Sequence, residues 1–137
     1  PNDADVLTDF ALCLAHDGQR ERAVDLGYAA MRLNPHCPEW YLANLGEILF
    51  HARRYAEALA MLDRLLELET ALFQLFKAAS HAALGNAEAA AQEIERVLRL
   101  EPEATVGLCT SPNRAPYRDR GDVEHLRENL RKAGLPE

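Results

Sequence analysis

The sequence predicts an all-α fold of stacked helical hairpins that ends in a C-terminal capping helix. Pairs of small residues twelve positions apart recur three times along the chain. A turn position lies five residues before the second member of each pair, and a helix stop lies twelve residues after it. Small residues at facing positions let two helix backbones approach closely while larger apolar neighbours fill the flanks. The pairs are Ala11 with Ala23, Gly46 with Ala58 and Ala78 with Ala90; the turns are Gly18, Arg53 and Gly85; the stops are Pro35, Thr70 and Pro102.

These spacings resemble the tetratricopeptide repeat, a helix–turn–helix unit of about 34 residues with small residues, a turn and a terminal proline at fixed places. The resemblance covers three repeats, at about residues 4–37, 38–70 and 71–102, within a single domain over 1–137. It implies a right-handed solenoid of helical hairpins. Thr70 stands where the repeat expects proline, and Arg53 stands where it expects glycine.

Apolar periodicity and stop signals predict the individual helices. After Pro102 the pattern changes to a short helical turn within 104–109, an irregular connection and a final helix. Asp119 or Asp122 is the expected N-cap of that helix, which extends through Lys132 and ends before Gly134. Its apolar face suits a helix that covers the last repeat. The six repeat helices are expected at about 4–16, 20–33, 39–51, 54–68, 71–84 and 87–100.

Composition excludes several classes of function. The formal charge of −7 argues against a nucleic-acid partner, because a polyanion would be repelled. No apolar run approaches the roughly 18 residues of a membrane span. The three cysteines lack metal-ligand spacing, and their odd number predicts reduced, buried thiols in a cytoplasmic protein.

The first residues predict that this sequence is a piece of a longer array. Pro1 lies 34 residues before Pro35, so it occupies the last position of a repeat that would precede it. The first helix would then lack an upstream neighbour. We expect some of its apolar residues, Val6, Leu7, Phe10 and Leu14, to be exposed or to pair with another copy of the chain.

Three segments, at 34–41, 54–58 and 117–137, resemble the C-terminal repeat region of bacterial class III adenylate/guanylate cyclase-like proteins of the rhizobial type. The resemblance implies a parent protein with a nucleotide cyclase domain upstream. For this chain it implies a non-catalytic, regulatory protein-interaction module of a signalling protein. Two alternatives stay open: a self-association module that supplies a dimer contact, and a stand-alone repeat scaffold unrelated to a cyclase.

The sequence offers no catalytic, cofactor-binding or metal-binding set. It has no paired aspartates on strands, no glycine-rich phosphate loop and no nucleophile elbow. His16 and His51 fall at corresponding places near the ends of two first helices. They either share a metal or are two exposed helix-end histidines, and the sequence favours the second interpretation.

The first helix of each tetratricopeptide hairpin lines a concave groove, so the resemblance implies a protein or peptide partner there, or another segment of the parent chain. Trp40 and Phe50 are candidate anchors for an apolar peptide or helix. Packing of Trp40 onto the preceding repeat also explains its position, and the sequence favours that interpretation. One subgroup of the family grips chaperone carboxylates with basic residues and asparagine, and of that set only Asn44 is present. The candidate groove residues are Asp5, Thr8, Leu12, His16, Trp40, Asn44, Glu47, Phe50, His51, Leu72, Leu75, Phe76 and Ala79.

Overall fold

The computed structural model describes residues 3–68 and 70–137, and these residues form eight helices and no strand. This confirms the predicted all-α class of helical hairpins. Pro1, on which the expectation of an upstream repeat rests, lies outside the described residues. The helices are α1 (Ala4–His16), α2 (Arg20–Leu33), α3 (Glu39–His51), α4 (Tyr55–Leu62), α5 (Ala71–Ala83), α6 (Ala87–Leu100), α7 (Val106–Cys109) and α8 (Arg120–Ala133).

The chain divides into two compact units, Pro1–Leu68 and Glu69–Glu137. The first unit contains α1 to α4, and the second contains α5 to α8. The single repeat domain over 1–137 stays a prediction. No helix within the described residues is long and apolar enough to cross a membrane.

Small residues lie at the helix contacts of the first unit, as the spacing predicts. Ala11, Ala23 and Ala58 are fully buried. A Cβ atom placed on Gly46 would lie 2.5 Å from Cδ2 of Leu62, so no side chain fits between α3 and α4 without movement. The close approach of backbones therefore accounts for these positions.

The prediction that helix α4 extends to Leu68 is wrong, because α4 ends at Leu62. The N–H groups of Arg64 and Leu65 donate to carbonyls three residues back, each at 3.2 Å, which tightens the last turn and ends the helix. Farther along, the N–H groups of residues 66–68 donate to the carboxylate of Glu39 instead of to helical carbonyls, that of Leu68 at 2.8 Å. The Glu39 carboxylate of α3 therefore accepts the hydrogen bonds that helical carbonyls would have accepted if α4 had continued to Leu68.

Thr70 consequently does not stop α4. Its side-chain oxygen accepts a hydrogen bond from the N–H of Phe73 at 3.4 Å, so Thr70 is the N-cap of α5. The residue that departs from the expected proline therefore begins the next helix.

We expect Glu39→Gln to accelerate hydrogen exchange of the Leu66 and Leu68 amides severalfold, because a neutral amide oxygen is a weaker acceptor than a carboxylate. The N–H groups of residues 66–68, led by Leu66, hold the pKa of Glu39 below its ordinary value of 4.5. Because the pKa of Glu39 is lowered in the folded chain, these hydrogen bonds stabilise the fold above about pH 4.5. That stabilisation is lost as the pH falls through the folded pKa. An NMR titration of these amides measures the effect.

The matched control is Glu67→Gln, which removes an exposed carboxylate from the same segment and leaves the Glu39 side chain and the Glu67 N–H unchanged. Equal exchange rates in the two variants would show that the Glu39 carboxylate does not hold the segment.

Arg53 adopts the backbone conformation of the glycine that it replaces. Its φ is +64°, close to the values of Gly18 (+89°) and Gly85 (+83°) at the corresponding turns. This left-handed region is unfavourable for a residue with a Cβ. The Arg53 guanidinium donates to the carbonyl of His51, which satisfies one of the free carbonyls at the end of α3.

A polar contact joins α2 to the start of α4. The Tyr28 hydroxyl donates to Oε2 of Glu57 at 2.6 Å, and Nε of Arg54 donates to Oε1 of the same carboxylate at 2.8 Å. Burial, followed by the Glu57 hydrogen bond, raises the pKa of Tyr28 to about 12. The Arg54 hydrogen bond lowers the pKa of Glu57, so the carboxylate stays ionised as an acceptor for both partners.

The second unit confirms the capping helix. Helix α8 packs against α5 and, to a smaller extent, against α6. The Asp119 side chain caps its start by accepting from the N–H of Gly121 at 2.8 Å, and Gly134 ends it with a φ of +101°. Leu126 and Leu130 are buried on its inner face. At the α5–α6 contact, Ala78 and Ala90 are both fully buried, as the spacing predicts.

The prediction that all three cysteines are buried is wrong for Cys13. Cys109 is buried and Cys37 is half-buried, whereas Cys13 is exposed. Cys13 lies on the side of α1 opposite three of its buried residues, Ala4, Ala11 and Ala15.

Candidate functional site

In the first unit, side chains at both ends of α1 join this helix to α3. The Tyr41 hydroxyl donates to the Asp5 carboxylate near the start of α1. Near its end, Nε2 of His16 lies 2.8 Å from Oε2 of Glu47. Between them, the buried Thr8 hydroxyl donates to the Ala4 carbonyl at 3.0 Å. Three of the predicted groove residues, Asp5, His16 and Glu47, are therefore engaged in contacts between α1 and α3.

The interpretation of His16 and His51 as two exposed helix-end histidines is wrong for His51. Its side chain is fully buried, whereas His16 is half-buried. The sequence places His51 at the end of a helix, but α3 buries most of its circumference from Tyr41 onward. Among the described residues, no three His, Cys, Asp or Glu side chains are grouped so that they could hold a metal ion.

Trp40 packs onto the first hairpin. It lies against the buried cluster of Ala4, Ala30 and Tyr41, and its ring meets the Tyr41 ring edge to face with centroids 4.6 Å apart. This confirms the structural interpretation of Trp40. Phe50, the second candidate anchor, is fully buried and presents no surface.

The structure thus separates the predicted groove residues into accessible and buried ones. Binding by any of them stays a prediction. Those at least partly accessible in the first unit are Asp5, Leu12, His16, Trp40 and Asn44, and Leu72 is exposed in the second. Those that are buried are Thr8, Glu47, Phe50, His51, Leu75, Phe76 and Ala79.

The second unit contains a cavity of about 460 Å³ beside the first turns of α5, which we call the α5 cavity. Leu72, a predicted groove residue, is 43% exposed there, while Leu75 and Cys109 are nearly buried. The aperiodic segment after α6 supplies the opposite wall. The lining residues are Thr70, Ala71, Leu72, Leu75, Glu101, Cys109, Asn113 and Arg114.

An ion pair neutralises the charged part of the α5 cavity. Nη2 of Arg114 lies 2.6 Å from Oε1 of Glu101, and the hydrogen bond that Arg114 donates lowers the pKa of Glu101. Burial, followed by the negative charge of Glu101, raises the pKa of the Cys109 thiol. The thiol therefore stays protonated at neutral pH and is a poor nucleophile. The cavity suits an uncharged apolar group rather than an anion or a cation.

A family model described as tetratricopeptide repeat matches residues 14–79 of this chain. The match supports a tetratricopeptide repeat domain. It extends from the end of α1 into α5 and so includes the whole α3–α4 hairpin. No curated protein matches the chain.

Tetratricopeptide repeats generally mediate protein–protein interaction and are typically non-catalytic. Stacked repeats of this kind create extended binding surfaces from successive first helices. Leu72 and Leu75 lie on the first helix of the third hairpin and line the α5 cavity.

Sequence reasoning missed the wall of the α5 cavity formed by Glu101, Cys109, Asn113 and Arg114. Glu101 is the C-cap of α6 at the end of the third repeat, and the other three residues lie beyond the repeats. The one available signal was Cys109, a small apolar residue at the end of the short helical turn predicted within 104–109.

Proposed function

We propose that this chain is a non-catalytic protein-interaction module that binds an apolar side chain of a protein or peptide in the α5 cavity. The observation that carries the proposal is the exposure of Leu72 beside a cavity of about 460 Å³. Natural binding pockets measure about 300–1,000 Å³ and are mostly apolar with a few polar groups. The α5 cavity has this size and character.

The charges of the cavity support an uncharged occupant. Glu101 and Arg114 neutralise each other, so a free carboxylate or phosphate would have to break their contact at 2.6 Å. An aliphatic or aromatic side chain instead covers Leu72 and leaves the ion pair intact. Burial of such a side chain contributes about 1.5–3 kcal/mol.

A separate proposal concerns the predicted groove residues of the first unit. In the first unit, Leu12, Trp40 and Asn44 offer partly accessible apolar and amide groups for the backbone and side chains of a partner. The fully buried members, such as Phe50 and His51, pack in the core beneath these residues and do not contact the partner.

The resemblance of 34–41, 54–58 and 117–137 supports a finer proposal, in which the module regulates a bacterial, cytoplasmic adenylate cyclase-like signalling protein. Determining the coding sequence upstream of Pro1 tests it. We expect a domain with two metal-binding aspartates. An upstream region without such a domain would favour the stand-alone scaffold.

Ala71→Phe tests the α5 cavity, because Ala71 lines it and a phenyl group there fills it. The probe is N-acetyl-phenylalaninamide at millimolar concentration, monitored by NMR. We expect it to shift the amide signals of Leu72, Leu75 and Cys109 in the natural protein and to leave them unchanged in Ala71→Phe.

The matched control is Ala91→Phe, which adds the same group at an exposed position of α6 outside the cavity. It should bind the probe like the natural protein, and N-acetyl-aspartate should cause no shift. Equal shifts in Ala71→Phe and Ala91→Phe, or none in the natural protein, would refute binding in the cavity.

A further inference from the structure

Helix α1 carries an exposed apolar stripe. Val6 is 61% exposed and Phe10 is 48% exposed, and Cys13 is also exposed. Spacings of four and three residues place these side chains next to one another on one face of the helix. We call Val6, Phe10 and Cys13 the α1 stripe.

The α1 stripe lies on the side of α1 opposite its buried alanines. The helix buries Thr8, Leu14 and three alanines, Ala4, Ala11 and Ala15. At 3.6 residues per turn, the stripe falls on the opposite side of the helix from these alanines. The face is thus accessible to a partner without any rearrangement of the hairpin.

Carboxylates surround the stripe. Asp9 and Asp17 are exposed and fall on the same side of α1 as Val6 and Phe10, and Asp3 lies at the helix start. Within α1 itself there is no Lys or Arg. The stripe therefore combines apolar contact area with negative charge.

The negative charge around the α1 stripe favours some binding partners over others. A second copy of α1 would bring aspartates against aspartates, and like charges across an interface cost affinity. Anionic lipid or nucleic acid would be repelled for the same reason. A helix with its own apolar stripe and with lysine or arginine beside it complements both properties.

We propose that the α1 stripe and its flanking aspartates form a docking surface for a basic amphipathic helix of another protein. Such a helix lays its apolar face on the stripe through residues spaced as i, i+3, i+4 and i+7. Its basic residues pair with Asp9. The carboxylates of Asp3 and Asp17, which accept hydrogen bonds from the Asp5 N–H and the Gln19 amide, add to the attractive charge. This surface is distinct from the α5 cavity, and the inference does not depend on binding there.

The test uses a labelled synthetic helical peptide of leucine and lysine, with leucines confined to one face, and a matched peptide with glutamate in place of lysine. Fluorescence anisotropy measures both affinities. We expect the lysine peptide to bind at least about tenfold more tightly than the glutamate peptide. Raising the salt concentration should weaken binding of the lysine peptide.

Val6→Ser with Phe10→Ser should weaken binding of the lysine peptide by about tenfold or more. Both side chains are exposed, so circular dichroism should show an unchanged fold. Asp9→Asn should weaken binding severalfold and reduce its dependence on salt. The control is Leu66→Ser, which removes an 86% exposed leucine elsewhere in the first unit and should leave the affinity unchanged.

Three results would overturn the proposal. The first is equal binding of the two peptides, and the second is unchanged binding of the lysine peptide to the Val6→Ser, Phe10→Ser variant. The third is a concentration-dependent dimer in light scattering that this variant abolishes, which would identify a second copy as the occupant. Absence of N-acetyl-phenylalaninamide binding in the natural protein would refute binding in the α5 cavity and leave the peptide result unaffected, so the two proposals fail separately.

Discussion

Gly46→Val is expected to destabilise the first unit by about 2 kcal/mol, because there is no room for a side chain between α3 and α4. A Cβ at this position would lie 2.5 Å from Cδ2 and 2.6 Å from Cγ of Leu62. Because Cγ is close to the backbone, rotation of the leucine tip cannot relieve the contact. Overpacking costs about 1–3 kcal/mol, and the better helix propensity of valine offsets only about 0.4 kcal/mol of it. Chemical denaturation followed by circular dichroism measures the loss.

The clash with Leu62 predicts a specific coupling. Leu62→Ala alone should cost about 2–5 kcal/mol, since Leu62 is 1% exposed. In the double variant, the shortened side chain leaves room for the introduced valine, so the combined loss should fall short of the sum by about 0.5–3 kcal/mol. Gly107→Ala is the control, because its Cβ would meet only Oγ1 of Thr105 at 4.0 Å. If the two losses of stability simply added, the Leu62 side chain would not be what excludes a side chain at position 46.

Leu130→Ala is expected to destabilise the second unit by about 2–5 kcal/mol, because it leaves a cavity where α8 packs. Leu130 is completely buried, and α8 is the helix that covers α5. The denaturation midpoint should fall while the dependence on denaturant stays unchanged, as expected for a change in stability alone.

Leu108→Ala provides the matched comparison for Leu130, since it shortens a leucine of the same unit that is 38% exposed. We expect it to cost less than about 1 kcal/mol, because much of that side chain already contacts water. If the two variants lost stability equally, α8 would not be the cover that its buried face indicates.

Most helix boundaries were predictable because they depend on local chemistry. Gly18 and Gly85 provide left-handed turns, Pro35 and Pro102 follow helix ends, and these residues act on their own neighbours in the sequence. The close contact at Gly46 was predictable as well, since a residue without a side chain at a repeated position indicates two backbones in close approach.

The end of α4 was not predictable, because it depends on a distant residue. Leu62, Leu65 and Leu66 continue the apolar pattern of a helix, and nothing near them opposes it. The acceptor that takes the amides of residues 66–68 is Glu39, 27 residues upstream of Leu66. A side-chain contact at that separation leaves no trace in local periodicity.

The same limit applies to the candidate site. Repeat spacing identified Leu72 and Leu75 as first-helix residues, and they line the α5 cavity. It could not identify Arg114, whose partner Glu101 lies across a segment without periodicity. Nor could it show that His51 is buried, because burial at a helix end depends on what packs beyond it.

The position of Trp40 makes the chain its own spectroscopic reporter. It is the sole tryptophan in the sequence, and it packs on the Ala4, Ala30 and Tyr41 cluster of the first unit. Intrinsic fluorescence therefore follows that unit, whereas far-ultraviolet ellipticity sums the helices of both. Overlaying the two denaturation curves tells whether the halves of this molecule melt in one cooperative step or in sequence.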